Sequence, residues 1–321
     1  MLATTSRSSF RFRCASALAP PAVATTSGTD RPIIGIFAQP KTSTSCPDGK
    51  SCQYIAASYV KFVESFGARA VPVAYDADNA TIDTLFKSLN GVLMPGGGAG
   101  VPAAAVRLYE NAVRANLDGD HFPIWGTCNG FEWLVQLAGG TLDTGFDAEN
   151  VSLPLDMTTA APTSRLFSPL DASLYAMLQD PEATSAFNNH HAGITPERFA
   201  ATPSLSEAFT VLSTSVDPNG VEFVSTMEAA DDRLPFYGVQ WHPEKNVWEN
   251  GEYPSGAPYE NIPHTPDAMD MTLYLARFFV SEARLNDHAF EDAATEQASI
   301  IWQYPIFYTA PEFVQEYIYD F

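Results

Sequence analysis

The sequence has little positive charge: 17 Lys and Arg residues stand against 38 Asp and Glu, which gives a formal net charge of -21 at pH 7. Such a surface repels phosphate backbones, so we expect no nucleic-acid partner. The chain also lacks an unbroken run of about 18 apolar residues, the length that a membrane-spanning helix needs, so we expect no membrane span. An anionic ligand would therefore require a local positive group that works against the overall field.

Cysteine is also scarce, with only Cys14, Cys46, Cys52 and Cys128. No second pair of Cys or His stands at the spacing of a zinc site, so we expect no bound metal. Cys46 and Cys52 bracket the turn-rich segment PDGKS, and they could close a small disulfide loop in an oxidising compartment. The glycosylation sequons at Asn79-Ala80-Thr81 and Asn150-Val151-Ser152 fit a secreted or vacuolar protein, although such triplets also arise by chance.

The first 29 residues differ in composition from the rest of the chain. They contain no acidic residue, have three arginines before Cys14 and are rich in Ser, Thr and Ala. The basic start, the short apolar run over residues 14–24 and its Ala-Val-Ala exit are typical of a secretory signal peptide. An organelle transit peptide and a plain disordered tail are the alternative interpretations. We predict that residues 1–29 are a leader and that residues 30–321 form a single domain.

From residue 31 onward, short apolar runs alternate with segments of helical periodicity. We predict strands over residues 33–37, 70–74, 92–94, 122–125, 222–227 and 236–240, and helices over residues 54–66, 79–89, 103–117, 130–137 and 269–284. This alternation is typical of an α/β fold with a mostly parallel central sheet and helices on both faces.

Cys128 lies in the strongest local motif, Gly126-Thr127-Cys128-Asn129-Gly130, between a predicted strand and a predicted helix. A sharp strand-to-helix turn of this kind, the nucleophile elbow, holds the nucleophile in a strained backbone and requires small neighbours. The thiol would project at the carboxyl end of the sheet, where open α/β folds bind ligands, and the helix N-terminus would favour the thiolate. A buried structural cysteine is the usual fate of a lone Cys, but this context disfavours it.

The segment YGVQWHPEK places His242 at the end of a predicted strand and Glu244 two residues later. A thiolate nucleophile needs a base that takes its proton and returns it to the leaving amine, and the base needs an acid to set its tautomer. Pro243 imposes a turn that would let the two side chains touch. A His-Pro-Glu triplet alone is more often structural, but beside the cysteine elbow it predicts a catalytic pair.

A third motif is Pro95-Gly96-Gly97-Gly98, directly after the predicted strand over residues 92–94. Glycine allows backbone N–H groups to approach an oxyanion closely. Without the other motifs, an ordinary turn would be the better interpretation. The motif is not a P-loop, because no Gly-Lys-Ser/Thr follows it.

Together, WGTCNGFEWL, YGVQWHPEK, the PGGG turn and the order Cys…His-x-Glu resemble class I glutamine-amidotransferase-like enzymes of flavodoxin-like fold, and within them the γ-glutamyl hydrolase family of cysteine peptidases. RPIIGIFAQP, YIAASYVKFVESFGARAVPV, FVSTMEA, FFVSEARLNDHAF and QYPIFYT extend the resemblance over about residues 31–321. It implies hydrolysis of γ-linked glutamates in folyl or antifolyl poly-γ-glutamates. No metal or organic cofactor is implied, and the resemblance is compatible with a homodimer.

The family resemblance also assigns roles to individual residues. Cys128 would be the nucleophile, His242 the general acid and base, and Glu244 the third member of the set. Backbone N–H groups at Gly97 and Asn129 would bind the oxyanion of the substrate. His190, in FNNHHAGITPERF, matches a further active-site histidine, and we expect it to bind the substrate as a donor and, in acid, as a cation. A solvated surface turn is the alternative for this segment.

Two positions depart from the family pattern. Asn129 stands where we expect Leu in animal relatives, and Asn250 replaces an aromatic residue expected shortly after the HPEK segment. We expect Asn129 to change a wall of the substrate pocket and Asn250 to change the entrance through which the substrate binds. The expected compartment is a vacuole or lysosome, or the cell exterior. A γ-glutamyl amidase for another small amide and a non-catalytic, glycosylated storage or binding protein remain as alternative functions.

Overall fold

The structure, a computed structural model, describes residues 28–41, residue 46 and residues 51–319. The predicted leader therefore lies outside the described residues except for its last two positions, and so does Cys14. Cys46 and Cys52 form a disulfide, which the sequence analysis named as a possibility.

Strands and helices alternate along much of the described chain. The strands are β1 (Ile33–Phe37), β2 (Gln39–Lys41), β3 (Cys52–Ala56), β4 (Arg69–Val73), β5 (Gly91–Met94), β6 (Ile124–Thr127), β7 (Asp143–Ser152), β8 (Asp156–Met157), β9 (Phe187–Gly193), β10 (Phe209–Val216), β11 (Glu222–Ala229), β12 (Phe236–Val239), β13 (Ile306–Phe307) and β14 (Glu316–Tyr319). The helices are α1 (Ala57–Glu64), α2 (Asn79–Phe86), α3 (Ala103–Leu117), α4 (Asn129–Leu137), α5 (Ala172–Gln179), α6 (Pro196–Ala200), α7 (Pro203–Ala208), α8 (Lys245–Trp248), α9 (Pro266–Ala283) and α10 (Ala293–Ser299). Within the described residues, short 3₁₀ helices also cover Ala161–Thr163 and Ile301–Gln303.

Eight strands form the central sheet in the order β4-β1-β5-β6-β12-β11-β10-β8. The neighbours from β4 to β12 are parallel, and β11, β10 and β8 extend the sheet in antiparallel pairs. Side chains of β1 alternate between the faces: Ile34 and Ile36 join one hydrophobic cluster, whereas Ile33 and Phe37 join another. α1 and α9 pack in the first cluster and α2, α3 and α4 in the second, which confirms the predicted fold.

The predicted helix over residues 54–66 begins later than expected, at Ala57. Residues 54–56 instead belong to β3, which pairs with β14 near the end of the chain. These strands form a separate four-stranded sheet, β13-β14-β3-β2. Local periodicity could not reveal this pairing, because its hydrogen bonds join residues more than two hundred positions apart.

The three motifs meet because β5, β6 and β12 are adjacent and parallel. Their carboxyl ends lie at one edge of the sheet, where each strand passes directly into a motif. β12 ends at Val239, so His242 lies three residues beyond the strand rather than at its end. No helix in the described ranges has both the length and the apolar character needed to cross a bilayer.

Candidate active site

A cleft of about 230 Å³ opens at this edge of the sheet. Each of the three motifs contributes to its lining, through Gly96 and Gly97, through Cys128, and through His242. The remaining walls come from β3, α1, β9, α8 and the segment that precedes β14. The structure therefore brings together most of the side chains and turns that the sequence predicted for the site.

Cys128 has the strained backbone that the nucleophile-elbow motif predicts. It joins β6 to α4 with φ 50° and ψ -108°, a positive φ that is uncommon for a residue with a side chain. Its backbone N–H donates to the Val239 carbonyl at 2.8 Å, which ties the turn to the end of β12. The thiol is buried, with 4% of the residue exposed, and Cys128 is the free cysteine among the described residues.

The two glycines that flank the elbow are required by close backbone contacts. A Cβ atom on Gly130 would lie 1.9 Å from the Met94 carbonyl oxygen, and one on Gly126 would lie 2.6 Å from the Gly130 carbonyl oxygen. Any larger residue would push β5, β6 and α4 apart. The glycines therefore allow the packing that presents Cys128 to the cleft.

His242 and Glu244 are in direct contact, as Pro243 led us to expect. His242 Nδ1 lies 2.8 Å from Glu244 Oε1, and both residues are buried. The His242 backbone N–H also donates to the Phe187 carbonyl oxygen at 2.7 Å, which anchors this turn to β9. Because Nδ1 faces the carboxylate, Nε2 is the nitrogen left to exchange a proton with Cys128.

The charges around His242 favour its imidazolium form. Burial by itself lowers the pKa of His242, but the neighbouring Cys128 sulfur and the Glu244 carboxylate outweigh it and raise the pKa to about 10. The raised pKa keeps His242 protonated through neutral pH, so its imidazolium lies beside the Cys128 sulfur. A cysteine in this arrangement is ready to attack a carbonyl carbon, and the histidine already holds the proton for the leaving group.

The predicted oxyanion donors are the N–H groups of Gly97, which lines the cleft, and of Asn129, which directly follows Cys128. Gly97 follows β5, and within the described chain no group accepts a hydrogen bond from its N–H. Asn129 is the first residue of α4, so its N–H has no acceptor inside the helix. Both N–H groups are free to donate to a developing oxyanion near Cys128.

Below these donors lies a buried polar network that the sequence analysis did not single out. Gln39 Nε2 donates to Asn129 Oδ1 at 3.3 Å, and Asn129 Nδ2 donates to Glu132 Oε2 at 3.2 Å. Gln240 Nε2 donates to the other oxygen of Glu132 at 3.1 Å, and burial raises the pKa of Glu132. Asn129, which replaces an expected Leu, therefore acts as a polar link rather than an apolar pocket wall. Gln39, Glu132 and Gln240 lie in segments that carry the family resemblance. Nothing in those segments indicated that the three side chains belong to one network.

His190 lies close to the site but does not line the cleft; its neighbour Asn189 does. Its Nδ1 is 2.8 Å from the Ala192 carbonyl oxygen, and its Nε2 is 3.2 Å from Asn188 Oδ1. Burial lowers the pKa of His190 to about 4, so at pH 5 the ring is mainly neutral. This burial disfavours the protonated form of His190 that we expected in acid. His190 is buried in β9, so the alternative of a solvated surface turn is also wrong at this residue. Binding of substrate by His190 stays a prediction.

Lys245 is a cleft residue that the sequence analysis missed. Its Nζ lies 2.6 Å from both carboxylate oxygens of Glu260, and only 4% of the residue is exposed. The ammonium group also lies over the rings of Phe187 and Phe313, at 5.4 and 5.6 Å from their centroids. Among the described residues that line the cleft, it is the one Lys or Arg. The HPEK segment contained it, but nothing in the sequence linked it to Glu260.

The cleft carries no sign of a metal centre. Nowhere in the described ranges do three or more His, Cys, Asp or Glu side chains cluster so that they could hold a metal ion.

Asn250, one of the two positions that depart from the family pattern, lines a depression beside the cleft together with Glu260. The departure therefore lies close to the carboxylate that pairs with Lys245.

The α/β fold, the strained cysteine elbow and the His–Glu pair define a cysteine hydrolase. The Peptidase C26 family profile matches residues 32–244. The chain is 41% identical to γ-glutamyl hydrolase of Bos taurus over 298 residues, with 90% of both chains covered, and 39% identical to that of Homo sapiens over 303 residues, with the same coverage. The chain therefore belongs to the peptidase C26 family of γ-glutamyl hydrolases.

More distant comparisons extend to plants and to solved structures. γ-Glutamyl hydrolase 1 of Arabidopsis thaliana is 36% identical over 262 residues, which cover 79% of this chain and 72% of the plant protein. The glutaminase domain of Trypanosoma brucei CTPS has a TM-score of 0.47 at 15% identity, and the match covers 80% of this chain and 96% of that domain.

Proposed function

We propose that this protein hydrolyses the γ-glutamyl amide bonds of folyl and antifolyl poly-γ-glutamates through a thioester on Cys128. The observation that carries the proposal is the Cys128 elbow beside the His242–Glu244 pair, in a chain that γ-glutamyl hydrolases match over 90% of its length. The intact pair argues against a non-catalytic storage protein. The length of the match argues against an amidase for an unrelated small amide.

The first half of the reaction forms the thioester. The Cys128 thiolate attacks the γ-carbonyl carbon, and the carbonyl oxygen becomes an oxyanion that accepts hydrogen bonds from the N–H groups of Gly97 and Asn129. His242 then gives its Nε2 proton to the amide nitrogen as the carbon–nitrogen bond breaks. The released amine is the terminal glutamate or a shorter γ-glutamyl chain.

The second half returns the enzyme to its starting state. A water molecule takes the place of the departed amine, and neutral His242 removes its proton. The resulting hydroxide attacks the thioester carbonyl, the same two N–H groups stabilise the second oxyanion, and the carbon–sulfur bond breaks. Glu244 stabilises the imidazolium at each step, because Nδ1–H donates to its carboxylate.

The substrate carboxylates need positive charge inside a protein of net charge -21, and Lys245 supplies it. In the structure Glu260 neutralises Lys245, and Asn189 Nδ2 also donates to Glu260 at 2.8 Å. A substrate α-carboxylate would share or take over the Lys245 ammonium while Asn189 holds Glu260. Recognition would thus depend on exchange of one carboxylate for another at the same cation.

Replacement of Lys245 tests this recognition. We expect Lys245→Met, which keeps the length of the side chain but removes its charge, to lower kcat/KM about 10- to 100-fold for a γ-glutamyl substrate with a free α-carboxylate. The same substrate with an α-carboxamide should change little, so the variant loses most of the preference for the carboxylate. Steady-state kinetics on both substrates measure this preference.

The exposed Lys87 provides a matched control, because Lys87→Met changes the net charge equally but lies outside the cleft. That variant should keep the preference of the unaltered protein. An undiminished preference in Lys245→Met would remove Lys245 from substrate recognition.

Bond selectivity tests the function itself. We expect folate di-γ-glutamate to be cleaved at least about 100-fold faster, in kcat/KM, than its α-linked isomer. The α-linked chain places its carboxylate and its scissile carbonyl at the wrong separation for a site built around the γ-bond. Product analysis over time by chromatography gives both rates, and comparable values would refute the γ-glutamyl assignment even if Cys128 proved catalytic.

We further propose that the protein enters the secretory pathway and works in a vacuole or lysosome, or outside the cell. The Cys46–Cys52 disulfide fits an oxidising compartment. Asn79, the acceptor residue of the first sequon, is exposed at the start of α2. A mobility shift of the secreted protein on treatment with an N-glycosidase would support this route, and a cytosolic, unmodified protein would contradict it.

A further inference from the structure

Tyr59 is a buried cleft residue to which the mechanism above gives no role. It lies in the first turn of α1, is 3% exposed and lines the cleft beside Cys128. Its hydroxyl oxygen accepts a hydrogen bond from the Gly96 backbone N–H at 2.7 Å and lies 3.5 Å from His242 Nδ1. One oxygen atom thus touches both the glycine turn after β5 and the catalytic histidine.

The hydroxyl stays protonated under all ordinary conditions. Burial, followed by the negative charges of Glu244 and Cys128, raises the pKa of Tyr59 well above its usual value. The oxygen therefore keeps its own proton while it accepts the Gly96 N–H. The side chain is a fixed neutral support and not a second acid or base.

The contact occupies the N–H of Gly96. The next N–H along the chain, that of Gly97, has no acceptor within the described chain. A Cβ atom on Gly96 would lie 2.7 Å from both the Tyr59 hydroxyl oxygen and His242 Cε1, so the turn is packed tightly between these two side chains. Little rotation of the turn is possible while the Tyr59 contact holds.

Gln39 supports the turn from its other side. A Cβ atom on Gly97 would lie 2.5 Å from the Gln39 side-chain carbon Cδ, and Gln39 also donates to Asn129. The two residues that carry the oxyanion donors, Gly97 and Asn129, are therefore linked through Gln39. Tyr59 fixes the rotation of the peptide group that contains the Gly96 N–H, directly before Gly97.

We propose that Tyr59 is a positioning residue that orients the Gly96–Gly97 turn so that the Gly97 N–H faces the oxyanion. The proposal rests on the Cys128 mechanism of the proposed function. Its consequence is specific, because Tyr59 would matter only in steps that develop an oxyanion. Reactions of the Cys128 sulfur that form no oxyanion should not depend on it.

Tyr59→Phe separates these two kinds of reaction. We expect kcat for hydrolysis of folate di-γ-glutamate to fall about 10- to 100-fold while KM changes less than about threefold, because removal of a whole oxyanion donor lowers kcat by about 10²–10³ and a loosened donor by less. Hydrolysis of p-nitrophenyl acetate, which passes through the same oxyanion, should fall by a similar factor. Alkylation of Cys128 by iodoacetamide should stay within about twofold, with an unchanged pH profile.

Tyr274→Phe is the matched control. It also removes a tyrosine hydroxyl that makes a hydrogen bond, to the Leu166 carbonyl at 2.7 Å, but on α9 and outside the cleft. It should leave all three reactions unchanged.

Two results for Tyr59→Phe would overturn the proposal. One is kcat within about twofold of the unaltered protein on both substrates. The other is alkylation that falls in parallel with kcat, which would mean that Tyr59 acts on the thiolate or on His242. Failure of the proposed function would look different: the unaltered protein would cleave the acetate ester but not the γ-glutamyl substrate, and the ester would still test Tyr59.

Discussion

Cys128→Ala is expected to abolish hydrolysis of γ-glutamyl chains while leaving the protein folded. The thiol supplies the bond that splits the reaction into two steps, and among the described residues the other cysteines, Cys46 and Cys52, are joined in a disulfide. Alanine tolerates the buried position, although the strained backbone at φ 50° remains. We expect kcat to fall by at least about 10⁴-fold, measured as glutamate release from folate di-γ-glutamate.

The fold of this variant has to be checked independently, and thermal unfolding followed by circular dichroism does so. Iodoacetamide labelling with peptide mapping adds a positive signal, because Cys128 should be alkylated in the unaltered protein before any other cysteine. A Cys128→Ala protein with activity within about tenfold of the unaltered one would rule out Cys128 as nucleophile. Preferential labelling at another cysteine would contradict a thiolate at Cys128.

The parts of the site that could be predicted from the sequence are those coded within a few residues. Gly126 and Gly130 flank Cys128 so closely that the elbow is evident from local spacing. His242 and Glu244 are two residues apart, so their contact depends on one turn and not on the rest of the fold. Parallel strands were predictable for a similar reason, because each βα unit is a local pattern and the alternation fixes the fold class.

The parts that could not be predicted depend on contacts between distant segments. Tyr59 and Gly96 are 37 residues apart in the sequence. The helix that carries Tyr59 is shorter than predicted, because residues 54–56 belong to β3 and pair with β14. Lys245 and Glu260 meet only because the chain loops back after α8. Such contacts have no periodicity, so the sequence offers no rule from which to derive them.

His190 shows a different limit of sequence reasoning. Its motif placed it near the site, and it does lie on β9, the strand whose first residue anchors the backbone of His242. Its environment could not be anticipated, because Phe146 and Phe223, which surround its ring, come from β7 and β11. Packing in three dimensions, and not the residue type, determines whether a histidine is a cation at mildly acid pH.

His242→Asn is expected to have the second largest effect on catalysis. Asparagine can occupy the position, but it cannot donate a proton to the leaving amine or take one from water, so kcat should fall about 10²- to 10⁴-fold with a smaller change in KM. The imidazolium is also the positive partner of the thiolate, since the raised pKa of His242, about 10, keeps it charged through neutral pH. Its loss should slow alkylation of Cys128 at pH 6 and move the onset of alkylation to higher pH.

Glu244→Gln is the graded comparison for this prediction. The glutamine oxygen can still accept the His242 Nδ1–H, and the hydrogen bond from the His242 backbone to Phe187 keeps the ring in place. What is lost is the negative charge, which contributes to the raised pKa of His242; the pKa should therefore fall, and activity should decline at a lower pH on the alkaline side than in the unaltered protein. We expect kcat to fall less than in His242→Asn. If Glu244→Gln instead proved the more damaging change, the carboxylate and not the imidazole would be the proton-transferring group, and the assigned roles would be wrong.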